Sequence, residues 1–131
     1  MSKSVKDLLF GLKINKVKGG FDCSNNQLIS LEGSPKTVGG DFNCGYNKLT
    51  SLKGSPETVG GTFSCHYNEL TSLEGSPEAV GGNFNCHKNK LTSLEGSPKI
   101  VGGGFYCDHN SKEFTEKEVR KYIDVKGDII V

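Results

Sequence analysis

The sequence predicts a solenoid: one short unit coiled on copies of itself in a right-handed sense, with a parallel β-sheet on one face and short helical caps at the ends. Three observations predict it. Cys23, Cys44, Cys65, Cys86 and Cys107 stand at a constant spacing of 21 residues. Around each cysteine the same columns return, roughly Gly-x-Phe-x-Cys-x-x-Asn-x-Leu-x-x-Leu-x-Gly-Ser-Pro-x-x-Val-Gly. Phe-x-Cys also alternates with the two-residue period of a strand. A fixed period of this length belongs to stacked units, each sharing its core with the next.

A stacked core exposes apolar rungs at both ends, so caps are expected. Residues 1–16 form the first, with a short helix beginning at Ser4-Val-Lys-Asp7 and carrying Leu8, Leu9 and Phe10. Residues 17–111 hold five repeats. In each, Phe and Cys point inward and the flanking residues outward. The asparagines at 26, 47, 68, 89 and 110 stand at the bend, where a buried amide satisfies backbone groups that a turn leaves unpaired. Leu-x-x-Leu carries the inward face round the next bend, and Val17, Val38, Val59, Val80 and Val101 close the unit. Gly-Ser-Pro and Gly-Gly supply the turns. Lys112 occupies the leucine column, so the repeat stops there and residues 112–131 form the second cap. Thr115-Glu-Lys-Glu118 is a capping box that starts a helix to about Ile123, with Val119, Tyr122 and Ile123 packing down and Phe114 as a staple. The segment from Val125 to Val131 reads as turn and strand, and Ile129, Ile130 and Val131 either continue the sheet or offer an edge to another chain.

The columns resemble the leucine-rich-repeat family. Phe42, Cys44, Asn47 and Leu49 stand at the family's fourth, sixth, ninth and eleventh positions. The family's first leucine is missing: Gly39 is there, with Val38 beside it. The short unit and the phrase Leu-Thr-Ser-Leu-Glu-Gly-Ser-Pro are similar to bacterial-type repeats and to small repeat proteins encoded by tailed bacteriophages. The resemblance runs from about Val17 to Asn110. It implies a partner in the bacterial host, and a protein that binds and inhibits a host or antiviral-defence factor.

Composition narrows the classes. The chain of 131 residues suits one domain, and its hydrophobic share of 34% suffices only because rungs share a core. Sixteen basic and 15 acidic residues give a net charge of +1, which argues against nucleic acid as partner. No apolar run is long enough to span a membrane and no leader is evident, so a cytoplasmic protein with no membrane partner is expected (host cytoplasm if phage-encoded). The inward cysteine column reads as buried, reduced thiols acting as small hydrophobes. Stacked strands bring their Cα atoms within disulfide range, but the Cβ vectors run side by side.

Information about a partner must lie between the invariant columns. Asp41, Asn43, Ser64, His66, Asn85, His87, Tyr106 and Asp108 flank the Phe-x-Cys strands, and Tyr46, Tyr67, Lys88 and His109 come next. Stacking turns them into vertical stripes, with Tyr46 beside Tyr67 and His66 beside His87. Aromatic, imidazole and hydrogen-bonding groups on one face suit protein recognition. The charges at Lys48, Glu69 and Lys90 alternate in sign and read as a solvated face.

Neither cofactor, metal nor catalytic site is expected. Cys65-His66 and Cys86-His87 invite zinc, but strand alternation sends each cysteine inward and each histidine outward. The same separation defeats a Cys-His catalytic pair. The Gly-Gly pairs lack the strand-to-helix context of a phosphate loop. Three functions remain: a protein-binding module, a self-associating assembly protein using the solenoid ends or the C-terminal strand, and a binder of a small anionic or nucleotide ligand through His66, His87 and Lys88.

Overall fold

The computed structural model describes residues 3–131. After a short helix α1 (Val5–Leu8), ten two-residue strands follow as five pairs: β1 (Lys16–Val17) and β2 (Phe21–Asp22), β3 (Thr37–Val38) and β4 (Phe42–Asn43), β5 (Thr58–Val59) and β6 (Phe63–Ser64), β7 (Ala79–Val80) and β8 (Phe84–Asn85), β9 (Ile100–Val101) and β10 (Phe105–Tyr106). Helix α2 (Glu116–Tyr122), β11 (Asp124–Val125) and β12 (Ile129–Ile130) complete the chain. It is a parallel-strand solenoid of about five coils with the expected 21-residue spacing.

The coil has two sheets where the sequence led us to expect one. The phenylalanine strands form a six-stranded parallel sheet in the order β12-β10-β8-β6-β4-β2. The valine strands form another, in the order β1-β3-β5-β7-β9-β11. Register is strict in both: Phe42 pairs with Phe21 and Phe63, and Val59 with Val38 and Val80. The valine column extends into a strand because its amides join rung to rung. Gly39 N–H donates to Val17 C=O at 2.8 Å, and Gly60 repeats the bond to Val38 at 2.8 Å. A Cβ on Gly60 would collide with the Gly39 carbonyl of the preceding rung, so glycine is required at that corner.

Each inward column is a continuous stack. The phenylalanine rings lie face to face at 5.8, 5.4, 5.1 and 5.5 Å along the chain from Phe21 to Phe105. All five cysteines are buried and unpaired, and the Cys44 and Cys65 thiols donate to Ser64 C=O and Asn85 C=O at 3.3 and 3.4 Å. The two leucine columns are fully buried from Leu28 to Leu91, and the four prolines close the coil against them. Asn68 shows what the bend requires. Its Nδ2 donates to Cys44, Cys65 and His66 carbonyls at 3.0, 3.1 and 3.3 Å, and its Oδ1 accepts from Leu49 N–H at 3.0 Å. Asn47 and Asn89 repeat this pattern, so the ladder ties each rung to the one before.

The caps follow their signals with two departures. Ser4 and Asp7 form a capping box on α1, and Thr115 and Glu118 form one on α2. Residues 1 and 2 of the expected first cap lie outside the described residues. Helix α1 ends at Leu8, so Phe10 is off the helix and bare to solvent. Tyr122 is exposed, whereas Phe114, Val119 and Ile123 are buried as expected, because α2 turns the Tyr122 position outward. Ile129 and Ile130 do continue the phenylalanine sheet, pairing with Phe105 and Tyr106, and β12 is also its edge. Among the described residues, no helix is long and apolar enough to cross a membrane.

Candidate functional site

The bend after each phenylalanine strand builds the most distinctive surface. One residue before every ladder asparagine, the backbone turns left-handed: Asn25, Tyr46, Tyr67, Lys88 and His109 have φ of 55°, 53°, 53°, 56° and 55°. Asparagine tolerates that region; tyrosine and lysine do so at a cost of roughly 1–2 kcal/mol. Asn25 and His109 are residue types that this backbone region favours, whereas Tyr46, Tyr67 and Lys88 place a large or charged side chain where few residues settle. Tyr46 and Tyr67 keep 49% and 38% of their surface in solvent, so packing does not compensate fully.

Two aromatic ladders meet here. Tyr46 and Tyr67 stack at 4.5 Å with planes 10° apart. His66 and His87 stack at 5.1 Å with planes 16° apart. The ladders stand edge-on to each other: Tyr46–His66 at 5.2 Å, His66–Tyr67 at 5.9 Å and Tyr67–His87 at 6.0 Å. Lys88 Nζ lies 5.3 Å from the Tyr67 ring centroid. Gly45 makes the room. A Cβ there would fall 2.6 Å from His66 Cε1, so the imidazole lies flat against a glycine on one side and against His87 on the other.

That enclosure sets the electrostatics. Burial, followed by the neighbouring His87, holds the His66 imidazole below its ordinary range, so it is mainly neutral at pH 7. His66 Nδ1 is buried with no hydrogen-bond partner among the described atoms. Lys88 places a formal charge against the Tyr67 ring, and His66 adds none. This weakens the case for His66 as an anion-binding group. Buried thiols lie behind the same bend. Desolvation, then the charge of Asp22, pushes Cys23 up to about 12, and the thiols at 44, 65 and 86 are held well above 9.0 chiefly by burial. They are protonated and inert at neutral pH. Among the described residues, no three His, Cys, Asp or Glu side chains gather where they could hold a metal ion.

The other candidate residues divide by location. Asp41 is committed to the coil: its Oδ1 accepts from Thr62 N–H at 2.8 Å, the first step of a side-chain ladder that continues through Thr62 and Asn83. Asn43 accepts from Gly45 N–H at 2.9 Å and shapes the turn under His66. Ser64 and Asn85 bond each other across rungs at 3.2 Å and leave a polar strip beside the imidazoles. Tyr106 lies in that strand column, paired with Asn85 and Ile130, and its hydroxyl folds over Gly104; it is not part of the ring cluster. Asp108 and His109 pair at 3.6 Å and line a recess of about 580 Å³ with Asn110, Lys112 and Ile130. The structure thus gathers Tyr46, Tyr67, His66, His87 and Lys88, with Ser64 and Asn85 alongside, and sets the rest apart.

Sequence reasoning missed two features. The valine sheet carries a shallow apolar groove of about 390 Å³ along Thr37, Thr58, Ala79 and Ile100, whose signal was the residue preceding each valine. The left-handed bend was legible only as Asn25 standing where the later rungs hold tyrosine, lysine and histidine. No family model matches this chain, no curated protein matches it, and no solved structure matches it, so the functional reading rests on its own residues.

Proposed function

We propose that this chain is a non-enzymatic protein-binding module that engages its partner through the face built on Tyr46, Tyr67, His66 and His87. The observation that carries the reading is the left-handed column. A repeat that needs only asparagine there holds aromatic residues instead, half in solvent and stacked on one another. Residues kept in sparsely populated backbone regions concentrate at functional sites, and stacked aromatic groups are common anchors at interfaces. Preordered rings lose little side-chain freedom on docking. The resemblance of the Leu-Thr-Ser-Leu-Glu-Gly-Ser-Pro phrase to phage repeat proteins adds the partner class: a bacterial host protein, such as a component of antiviral defence, which the module inhibits by occupying it.

The test compares two triple-alanine variants, Tyr46/Tyr67/His87 and Lys48/Glu69/Lys90, each first shown to fold. Both are used with the native chain as bait in bacterial lysate. The ring variant should lose a protein that the native chain and the charge variant retain. Loss in the charge variant alone would overturn the assignment of the face. A second reading has its own observation: β12 stands at a sheet edge with Ile130 and Val131 exposed, a surface on which a second copy could add a strand. Solution mass over a concentration series decides it.

A further inference from the structure

The first cap and the start of the first coil are chemically unlike the rest of the molecule, and one carboxylate from later in that coil, Glu32, borders the recess beside Lys6, Leu12 and Lys13. Residues 1–20 hold five lysines, Lys3, Lys6, Lys13, Lys16 and Lys18, against one carboxylate, Asp7. The whole chain has 16 bases and 15 acids, so the remainder holds 11 against 14. The near-neutral total conceals a basic tip on an acidic body. All five lysines are exposed, and none joins an ion pair among the described residues. Asp7 is occupied by the capping box, accepting from Ser4 N–H at 3.0 Å and Ser4 Oγ–H at 3.2 Å.

Phe10 lies within this lysine-rich segment. It follows the end of α1 with φ 53°, at the place where helices favour glycine, and the chain closes behind it through Gly11 N–H donating to Lys6 C=O at 3.0 Å. Phe10 is 93% exposed and Leu12 is 67% exposed. The fold gains almost no burial from Phe10 and little from Leu12. A bulky aromatic on left-handed backbone with no packing partner is an outlier whose explanation lies outside the molecule.

We propose that this tip anchors the protein to an anionic lipid surface. Phe10 and Leu12 enter the headgroup–acyl boundary while the five lysines meet the phosphates. A few apolar side chains ringed by lysines match that interface, because each lysine stem lies along the apolar layer while its ammonium stays at headgroup level. Lysine suits a field of headgroup charges as a point charge, whereas forked recognition of a particular phosphate uses arginine. The chain's one arginine, Arg120, is at the other end, bonded to Val125 C=O at 2.9 Å. Nucleic acid would make use of the lysines but gives Leu12 no role. The acidic body is repelled by the same surface, so the solenoid docks tip first and leaves the Tyr46–His66 face free. This inference is independent of the protein-binding reading.

The full chain is floated with vesicles of mixed phosphatidylcholine and phosphatidylglycerol, and with vesicles of phosphatidylcholine alone. The native chain should bind only the acidic vesicles and be released by salt. Phe10→Ser with Leu12→Ser should weaken binding by about tenfold or more. Lys13→Glu with Lys16→Glu should abolish it. Phe10→Gly separates anchoring from folding: it should weaken binding while raising the unfolding midpoint, because glycine suits the backbone there. Equal binding to both vesicles, no binding to either, or native-like binding by the Phe10 and Leu12 variants would overturn the proposal. So would binding to a single-stranded oligonucleotide in the absence of vesicle binding.

Discussion

Asn68 and Tyr67 are neighbours on one bend, and the fold treats them in opposite ways. Asn68 is buried, makes four hydrogen bonds to backbone groups of two adjacent rungs, and recurs as asparagine in every repeat. Tyr67 projects into solvent from left-handed backbone, and its column changes from asparagine to tyrosine, lysine and histidine. The asparagine position supports the coil; the position before it works against the coil. Variation along a repeat is informative where the backbone imposes a preference and the sequence departs from it. Surface variation elsewhere, such as the exposed pairs Lys53–Glu74 at 3.7 Å and Lys99–Glu78 at 3.3 Å, carries no such signal, since pairs of that kind contribute little to stability.

The largest test of this contrast uses pH on the buried side of the bend. In the folded chain Cys23 and Cys107 are pushed up to about 12, and Cys44, Cys65 and Cys86 are held well above 9.0, chiefly by burial. The unfolded chain releases these protons near 9.0. Stability is therefore intact below pH 9 and falls as pH rises toward the folded values, by about 1.4 kcal/mol per thiol per pH unit. Denaturant midpoints measured on either side of pH 9 should show a steep fall, shallower by one thiol in Cys65→Ala. A profile flat across that range would place the column in water and remove the basis of the comparison.

A smaller effect is expected from the asparagine itself. Asn68→Ala leaves three carbonyls and the Leu49 amide short of a partner and should destabilise the protein by about 1–3 kcal/mol. Glu69→Ala, one residue on and exposed, should stay within about 0.5 kcal/mol. Equal unfolding midpoints for the two would deny the ladder its role.

The smallest effect has the opposite sign. Lys88→Asn gives the left-handed position a residue it tolerates and removes the ammonium from the Tyr67 face. Relief of roughly 1–2 kcal/mol against a cation–π contact of about 0.5–1 should leave the variant more stable by about 0.5 kcal/mol. Urea denaturation at neutral pH resolves this. A loss of stability instead would mean that Lys88 is kept for the fold, and the column would no longer mark a surface held at the fold's expense.

The solenoid was legible in the sequence because its core is periodic. Five Phe-x-Cys units, five asparagines and two leucine columns in one register leave few ways to bury everything except by stacking. The helix start at Ser4 and the capping box at Thr115 were legible because such signals are local, spanning four residues; that Ser4 and Asp7 also close a box came from the structure. The second sheet was harder to see: two residues per rung show no alternation, and it is rung-to-rung amide bonds such as Gly39 reaching Val17 that make the valine column a strand.

The candidate site divides along the same line. The vertical stripes of Tyr46 with Tyr67 and His66 with His87 followed from the register alone, since residues 21 apart must be neighbours in a stack of that period. What the tertiary structure decided was their backbone and their mutual angle. The left-handed turn before each asparagine swings the tyrosines off the strand face, and Gly45 lets His66 lie flat so that the two ladders meet edge-on. Tyr106, equal to them by sequence reasoning, stays on the strand and apart from the rings. Periodicity specifies which residues share a column, because translation along the stack is a property of the chain. It does not specify where a side chain points at a bend, because that depends on φ and on the space left by the residue one rung away.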